Sequence, residues 1–97
     1  MQTTGKIIEK LLEVSGENEK GCWVRSGFVL LAADDRGDTL CFEVSGTDRC
    51  TMVRQLAIGE TVVVTWRPTS RKYADRWFTS LRAYEVMRLA REGKPNV

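Results

Sequence analysis

Apolar positions recur along this chain in short runs separated by clusters of glycine, serine, aspartate and lysine, a spacing that fits strands and turns better than long helices. The clearest case is residues 59–87. Gly59-Glu60 turns into Thr61-Val-Val-Val-Thr-Trp-Arg67, a β-branched and aromatic run that Pro68 is expected to stop, since proline has no N–H for a strand ladder. A second strand is expected from about Arg76 to Met87, with Leu81 and Ala83 on one face, Arg82 and Tyr84 on the other, and a bulge before Val86. Between the two, residues 69–75 read as a charged loop.

Upstream, residues 4–14 double their apolar positions as Ile7-Ile8 and Leu11-Leu12. The 7, 8, 11, 12 spacing fits a helix; it also fits a strongly bent strand with β-bulges, which the strand-rich surroundings favour, and Gly5 permits the bend. Residues 15–21 read as a turn, with glycine at positions 16 and 21. Residues 22–32 form a second curved strand bending at Gly27, with Val24, Phe28 and Leu30 on one side and Trp23 and Arg25 on the other. After a hairpin turn at 34–38, residues 39–45 alternate Leu40, Phe42 and Val44 inward. A short helix is predicted from about Asp48 to Leu56, capped by Gly46 or Thr47, with Cys50, Val53 and Leu56 or Ala57 as its apolar stripe. The order strand, strand, strand, helix, strand, strand is that of the OB-fold: an all-β, five-stranded Greek-key barrel with one short helix between strands 3 and 4. An SH3-like barrel is the rival, with shorter strands and no full helix at that place.

The 97 residues allow one domain, expected to span 1–87 and to leave a short basic tail at 88–97. No apolar run nears the roughly 20 residues of a membrane span and no signal peptide is evident, so a cytoplasmic protein without a membrane partner is expected. Cys22, Cys41 and Cys50 lack metal-site or disulfide spacing and read as buried free thiols. There is no histidine, P-loop or nucleophile elbow, which argues against an enzyme, a metal, a cofactor or a small-molecule substrate. The net charge of +2 is too small to imply a nucleic-acid partner by itself.

Thr4-Gly-Lys-Ile-Ile, the strand from Trp23 to Phe28, Cys41-Phe-Glu-Val44, the turn and strand at Gly59-Glu-Thr-Val-Val, and above all Arg76-Trp-Phe-Thr-Ser-Leu-Arg-Ala83 resemble a family of small bacterial OB-fold proteins of unknown function. That family is similar in fold to single-stranded DNA-binding protein and to primosomal replication protein B. The resemblance covers about residues 3–87 and implies the fold and a nucleic-acid role. A housekeeping single-stranded DNA-binding protein carries a long tail with an acidic-hydrophobic tip, whereas this chain stops at Lys94-Pro-Asn-Val97, so recruitment of repair enzymes through such a tail is not expected.

OB-folds bind across strands 2 and 3, flanked by the loops between strands 1 and 2 and strands 4 and 5. Those places hold Lys20, Trp23 and Arg25, then Arg71, Lys72, Tyr73, Arg76 and Trp77. Cations track phosphates and aromatic faces stack bases without reading sequence. The expected function is therefore non-catalytic binding of single-stranded DNA or RNA, DNA foremost, accessory to replication, repair or recombination, by a homodimer whose unpaired strand edges meet. Against this, Arg71-Lys72 also reads as plain solvated surface, Trp66 reads as core, and Trp77 is undecided between core and surface. The alternative is a protein-interaction module, with Asp34, Asp35, Asp38 and Asp48 as an acidic pole for a basic partner.

Overall fold

Fitting five strands of this length around one small core requires at least one of them to curl, and the first strand does so. In a computed structural model that describes residues 1–34 and 36–89, β1 (Gln2–Asn18) pairs from Gly5 to Asn18 with β2 (Gly21–Ala32) and through Gln2–Lys6 with β4 (Thr61–Tyr73). Its register against β2 slips between Ile7 and Glu9 and again between Leu11 and Val14. Both doubled apolar pairs therefore lie at bulges: Ile7 is fully buried while Ile8 faces out, and the extra residues bend the strand so that it serves two neighbours. The helical alternative for this segment is excluded.

β3 (Thr39–Ser45) follows β2 antiparallel, and β5 (Arg76–Arg88) lies between β3 and β4, parallel to β3 at Phe42↔Leu81 and Glu43↔Arg82 and antiparallel to β4. The strand order β1-β2-β3-β5-β4 closes on itself. The helix α1 (Thr47–Gln55) sits between β3 and β4 and buries Cys50 and Val53, with Leu56 just beyond. This is the OB-fold expected from the element order. Gly46 is its N-cap residue with φ 98°, a conformation that suits glycine.

Phe28 and Phe42 form the centre of the core, their rings 5.5 Å apart, with Ile7, Leu30, Val44, Val62 and Val64 around them. Trp66 closes one end 5.6 Å from Phe42, and its indole Nε1 donates to Thr3 Oγ1 at 2.9 Å. Trp66 is thus core, as its company of valines suggested. Gly27 lies in unbroken pairing with β3, where a Cβ would press on the Phe42 carbonyl and come within 2.9 Å of Leu11 Cδ1.

Four expectations need correction. The turn at 15–21 shrinks to Glu19-Lys20, because β1 runs on to Asn18. Pro68 does not stop β4: it pairs opposite Leu81 and the strand continues to Tyr73. The Trp66 amide donates to the Met1 carbonyl, so alternation aims the nitrogen two residues on, that of Pro68, past the last residue that pairs with β1, where no acceptor waits. Residues 69–73 of the expected loop are consequently strand, and the connection is the two residues Ala74-Asp75. Finally, Cys22 and Cys41 are exposed and only Cys50 is buried. The first two fall on outward positions of β2 and β3, which strand alternation decides regardless of cysteine's usual preference for the interior. The tail expected from 88 onward begins inside β5, where Arg88 pairs with Glu60; from residue 90 it lies outside the described residues, as does Asp35.

The hairpin of β4 and β5 and that of β1 and β2 both extend past the barrel as arms. The radius of gyration, 15.0 Å, exceeds the roughly 12.5 Å of a compact chain this long, and the principal extents are 50 × 31 × 19 Å. Ala74 and Asp75 have φ of 50° and 67°, as a two-residue type I′ hairpin demands, yet neither is glycine or asparagine. Replacing them by Asn-Gly is expected to stabilise the fold by about 1 kcal/mol and raise the melting temperature by roughly 4–8 °C in calorimetry. An unchanged melting temperature would count against that turn geometry.

Candidate nucleic-acid interface

Alternation along β4 and β5 divides the second arm into two faces. One carries Arg67, Arg71 and Tyr73 on β4 and Arg76, Phe78 and Arg82 on β5; the other carries Lys72 and Trp77, which are direct cross-strand partners. On the first face Arg67 stands opposite Arg82, a like-charge pair that a sheet ordinarily avoids. Arg71 stands opposite Phe78, and the Arg76 guanidinium lies 6.0 Å from the Phe78 ring centre.

The first arm contributes Trp23 and Arg25. The Arg25 guanidinium sits 5.0 Å from the centre of the Trp23 ring, and the ring lies across from Gly16, where a Cβ would come within 2.7 Å of indole Cζ2. A side chain at position 16 would displace the tryptophan. Trp23 and Arg25 also line a groove of about 750 Å³ between this arm and the corner where β3 meets α1, bounded by Gly46 and Thr47.

The two arms meet at Arg71. It lines a pocket of about 290 Å³ with Arg25, Leu12 and Glu43, and a second of about 280 Å³ with Phe78 and Arg82. From Arg82 the line continues to its cross-strand partner Arg67, then to Tyr84, whose ring has the Arg67 guanidinium 5.7 Å and the Arg49 guanidinium 5.3 Å from its centre. A continuous ribbon therefore runs Trp23, Arg25, Arg71, Arg82, Arg67, Tyr84, Arg49. Of the nine described arginines, Arg36, Arg54 and Arg88 pair with Asp38, Glu13 and Glu60. The other six are Arg25, Arg49, Arg67, Arg71, Arg76 and Arg82, and among the described residues none of them has an ion pair.

The middle of the β2–β3 face is different. Glu9, Val29 and Cys41 form one row across β1, β2 and β3, and Glu43 follows on β3. Desolvation pushes the Cys41 thiol above its ordinary pKa, and the negative charges of Glu43 and then Glu9 push it further, although the residue is exposed. Glu43 also lines the pocket of Arg25 and Arg71 and stands opposite Arg82 in the β3–β5 register, so the acidic patch borders the arginines.

Of the residues singled out in the sequence, Trp23, Arg25 and Arg71 come together, with Tyr73 and Arg76 on the same face nearer the tip. Lys72 and Trp77 point to the reverse face, where Trp77 is 68% exposed and therefore surface rather than core. Lys20 sits in the turn of the other arm, its amide donating to Asn18 Oδ1 at 2.8 Å. Arg49, Arg67, Phe78, Arg82 and Tyr84 were missed. A period-two reading carried through Pro68 finds Arg67, Phe78 and Arg82; the bulge expected before Val86 is present at Tyr84, whereas the approach of Arg49 to it is a tertiary feature.

A closed OB barrel carrying a ribbon of unpaired arginines and aromatic rings defines the class of protein. The family described as a domain of unknown function (DUF3127) matches residues 2–87, and the chain belongs to it. Among solved structures it is similar to the small single-stranded DNA-binding protein from Streptomyces coelicolor, at 20% sequence identity over 91% of each chain and a TM-score of 0.49. No curated protein matches the chain. Among the described residues no helix is long and apolar enough to cross a membrane.

Proposed function

We propose that the protein is a non-catalytic binder of single-stranded nucleic acid, DNA foremost, which holds the strand by its backbone and stacks bases without reading sequence. It would serve replication, repair or recombination in the cytoplasm. The observation that carries this reading is the ribbon, with its five arginines, Trp23 and Tyr84, together with Arg76 and Phe78 beside it towards the tip of the arm: six arginines that have no ion pair among the described residues. Unpaired arginines supply phosphate partners, and each aromatic face offers a base a stack of about 1–3 kcal/mol.

Titrating tryptophan fluorescence with oligothymidylate at two salt concentrations tests it. With six cations engaged, the slope of log affinity against log salt for a single strand is expected to be about −4, so that a fourfold rise in salt weakens binding roughly 300-fold. Absence of both quenching and mobility shift at low salt would overturn the proposal in favour of a protein-interaction module.

We propose further that the chain forms a homodimer. Beyond Lys6 for β1 and beyond Thr65 for β4, one edge of each strand lacks a strand partner among the described residues, and Leu12 on β1 is 88% exposed. Light scattering is expected to give twice the 11.0 kDa chain mass; the monomer mass at micromolar concentration would refute it.

A further inference from the structure

Tyr84 is the residue that the sheet leaves over. Thr65 pairs with Glu85 and Trp66 with Ala83, so Tyr84 is the extra residue of a bulge on β5 and its ring is turned outward, 39% exposed. Two guanidiniums flank that ring. Arg67 reaches it from the neighbouring strand, and Arg49 reaches it from the first turn of α1, fixed by an Nε–H donated to the Tyr84 carbonyl at 3.3 Å. Neither arginine has a carboxylate partner among the described residues, and Arg67 additionally faces Arg82 across the strands. Like charges held opposite one another cost stability in the free protein, and an anion placed between them relieves that cost.

These features also lie past the β2–β3 face that an OB-fold ordinarily uses. We propose that the bound strand continues from Arg71 and Arg82 across the β5 bulge to α1, and that Tyr84 with Arg49 and Arg67 forms a second subsite. This subsite takes one base on the tyrosine ring and its phosphates on the two arginines. It rests on the reading of the ribbon as a single-strand path, and it makes the site longer than the cleft between the arms.

The test compares oligothymidylates of about 4 and about 16 nucleotides, the range of site sizes for one OB-fold, on the full chain, on Tyr84→Leu and on Tyr84→Phe. Short oligomers can be held at Arg25 and Arg71 without reaching the bulge, so Tyr84→Leu is expected to cost them much less affinity than it costs long ones, and a cooperative thermal melt serves to show that the variant is folded. The long oligomer is expected to lose about 5- to 150-fold in affinity on Tyr84→Leu, the consequence of one lost base stack. Tyr84→Phe, which keeps the ring, is expected to restore it. Equal losses at both lengths, or no loss at either, would overturn the second subsite while leaving single-strand binding in place. Failure of the unaltered protein to bind either length would remove both.

Discussion

Phe42→Ala is expected to destabilise the protein by about 3–5 kcal/mol, out of the 5–15 kcal/mol that holds a typical domain together. Phe42 is fully buried and is the point where the two pairings of β3 converge: it stands opposite Phe28 in the antiparallel direction and opposite Leu81 in the parallel one. Its ring also touches Trp66 on the far wall. Truncation therefore opens a cavity bounded by three strands that the closed barrel cannot collapse into without breaking register. Urea unfolding is expected to show a lower midpoint with an unchanged slope. Phe42→Leu, which keeps most of the volume, is expected to cost less than about 1.5 kcal/mol. A loss for Phe42→Ala no larger than that for leucine would mean the core is not centred on this ring.

The largest functional effect is expected from Arg25→Ala combined with Arg71→Ala. The two residues come from different arms, share one pocket, and have no ion pair among the described residues, so their removal breaks no internal contact of that kind. Stability is expected to stay within about 0.5 kcal/mol of the unaltered protein. Affinity for oligothymidylate is expected to fall for every sequence alike, and the salt slope to flatten by about 1.4, or 0.7 for each lost phosphate contact. Lys72→Ala serves as the contrast. Although adjacent to Arg71 in sequence, Lys72 projects from the reverse face beside Trp77 and is expected to leave the slope nearly unchanged. An unchanged slope in the double variant would show that these arginines do not meet phosphate.

The strand order, the helix and the core were legible because local pattern and tertiary demand agree there. Ile7-Ile8 and Leu11-Leu12 are instructive: a doubled apolar pair is ambiguous in isolation, and the number of strands around it resolved the ambiguity in favour of bulges. Pro68 misled because the rule against proline applies to strands paired on both sides, and β1 stops pairing with β4 just before that position. That single misreading turned the second arm into a loop, and in a loop Arg71, Lys72, Tyr73, Arg76 and Trp77 have no faces to sort them. Once the strand continues, alternation separates Lys72 and Trp77 from the rest. The approach of Arg49 to Tyr84 was beyond reach, since 35 residues separate them in sequence and only the closed barrel brings them together.

The arms also bear on how the molecule opens. In the barrel each strand has neighbours on both sides, whereas in the outer halves of the arms each strand has only one among the described residues, and the second arm closes through a turn of two residues held at positive φ. Amides there can exchange with solvent through local fraying, without waiting for global unfolding. The protein is accordingly expected to divide into a slowly exchanging body and two faster-exchanging limbs, and the arginines of the cleft belong largely to the limbs. On the proposed single-strand reading, part of the binding free energy goes into stilling them, so a substitution that stiffens an arm is expected to tighten binding without adding a contact to the ligand.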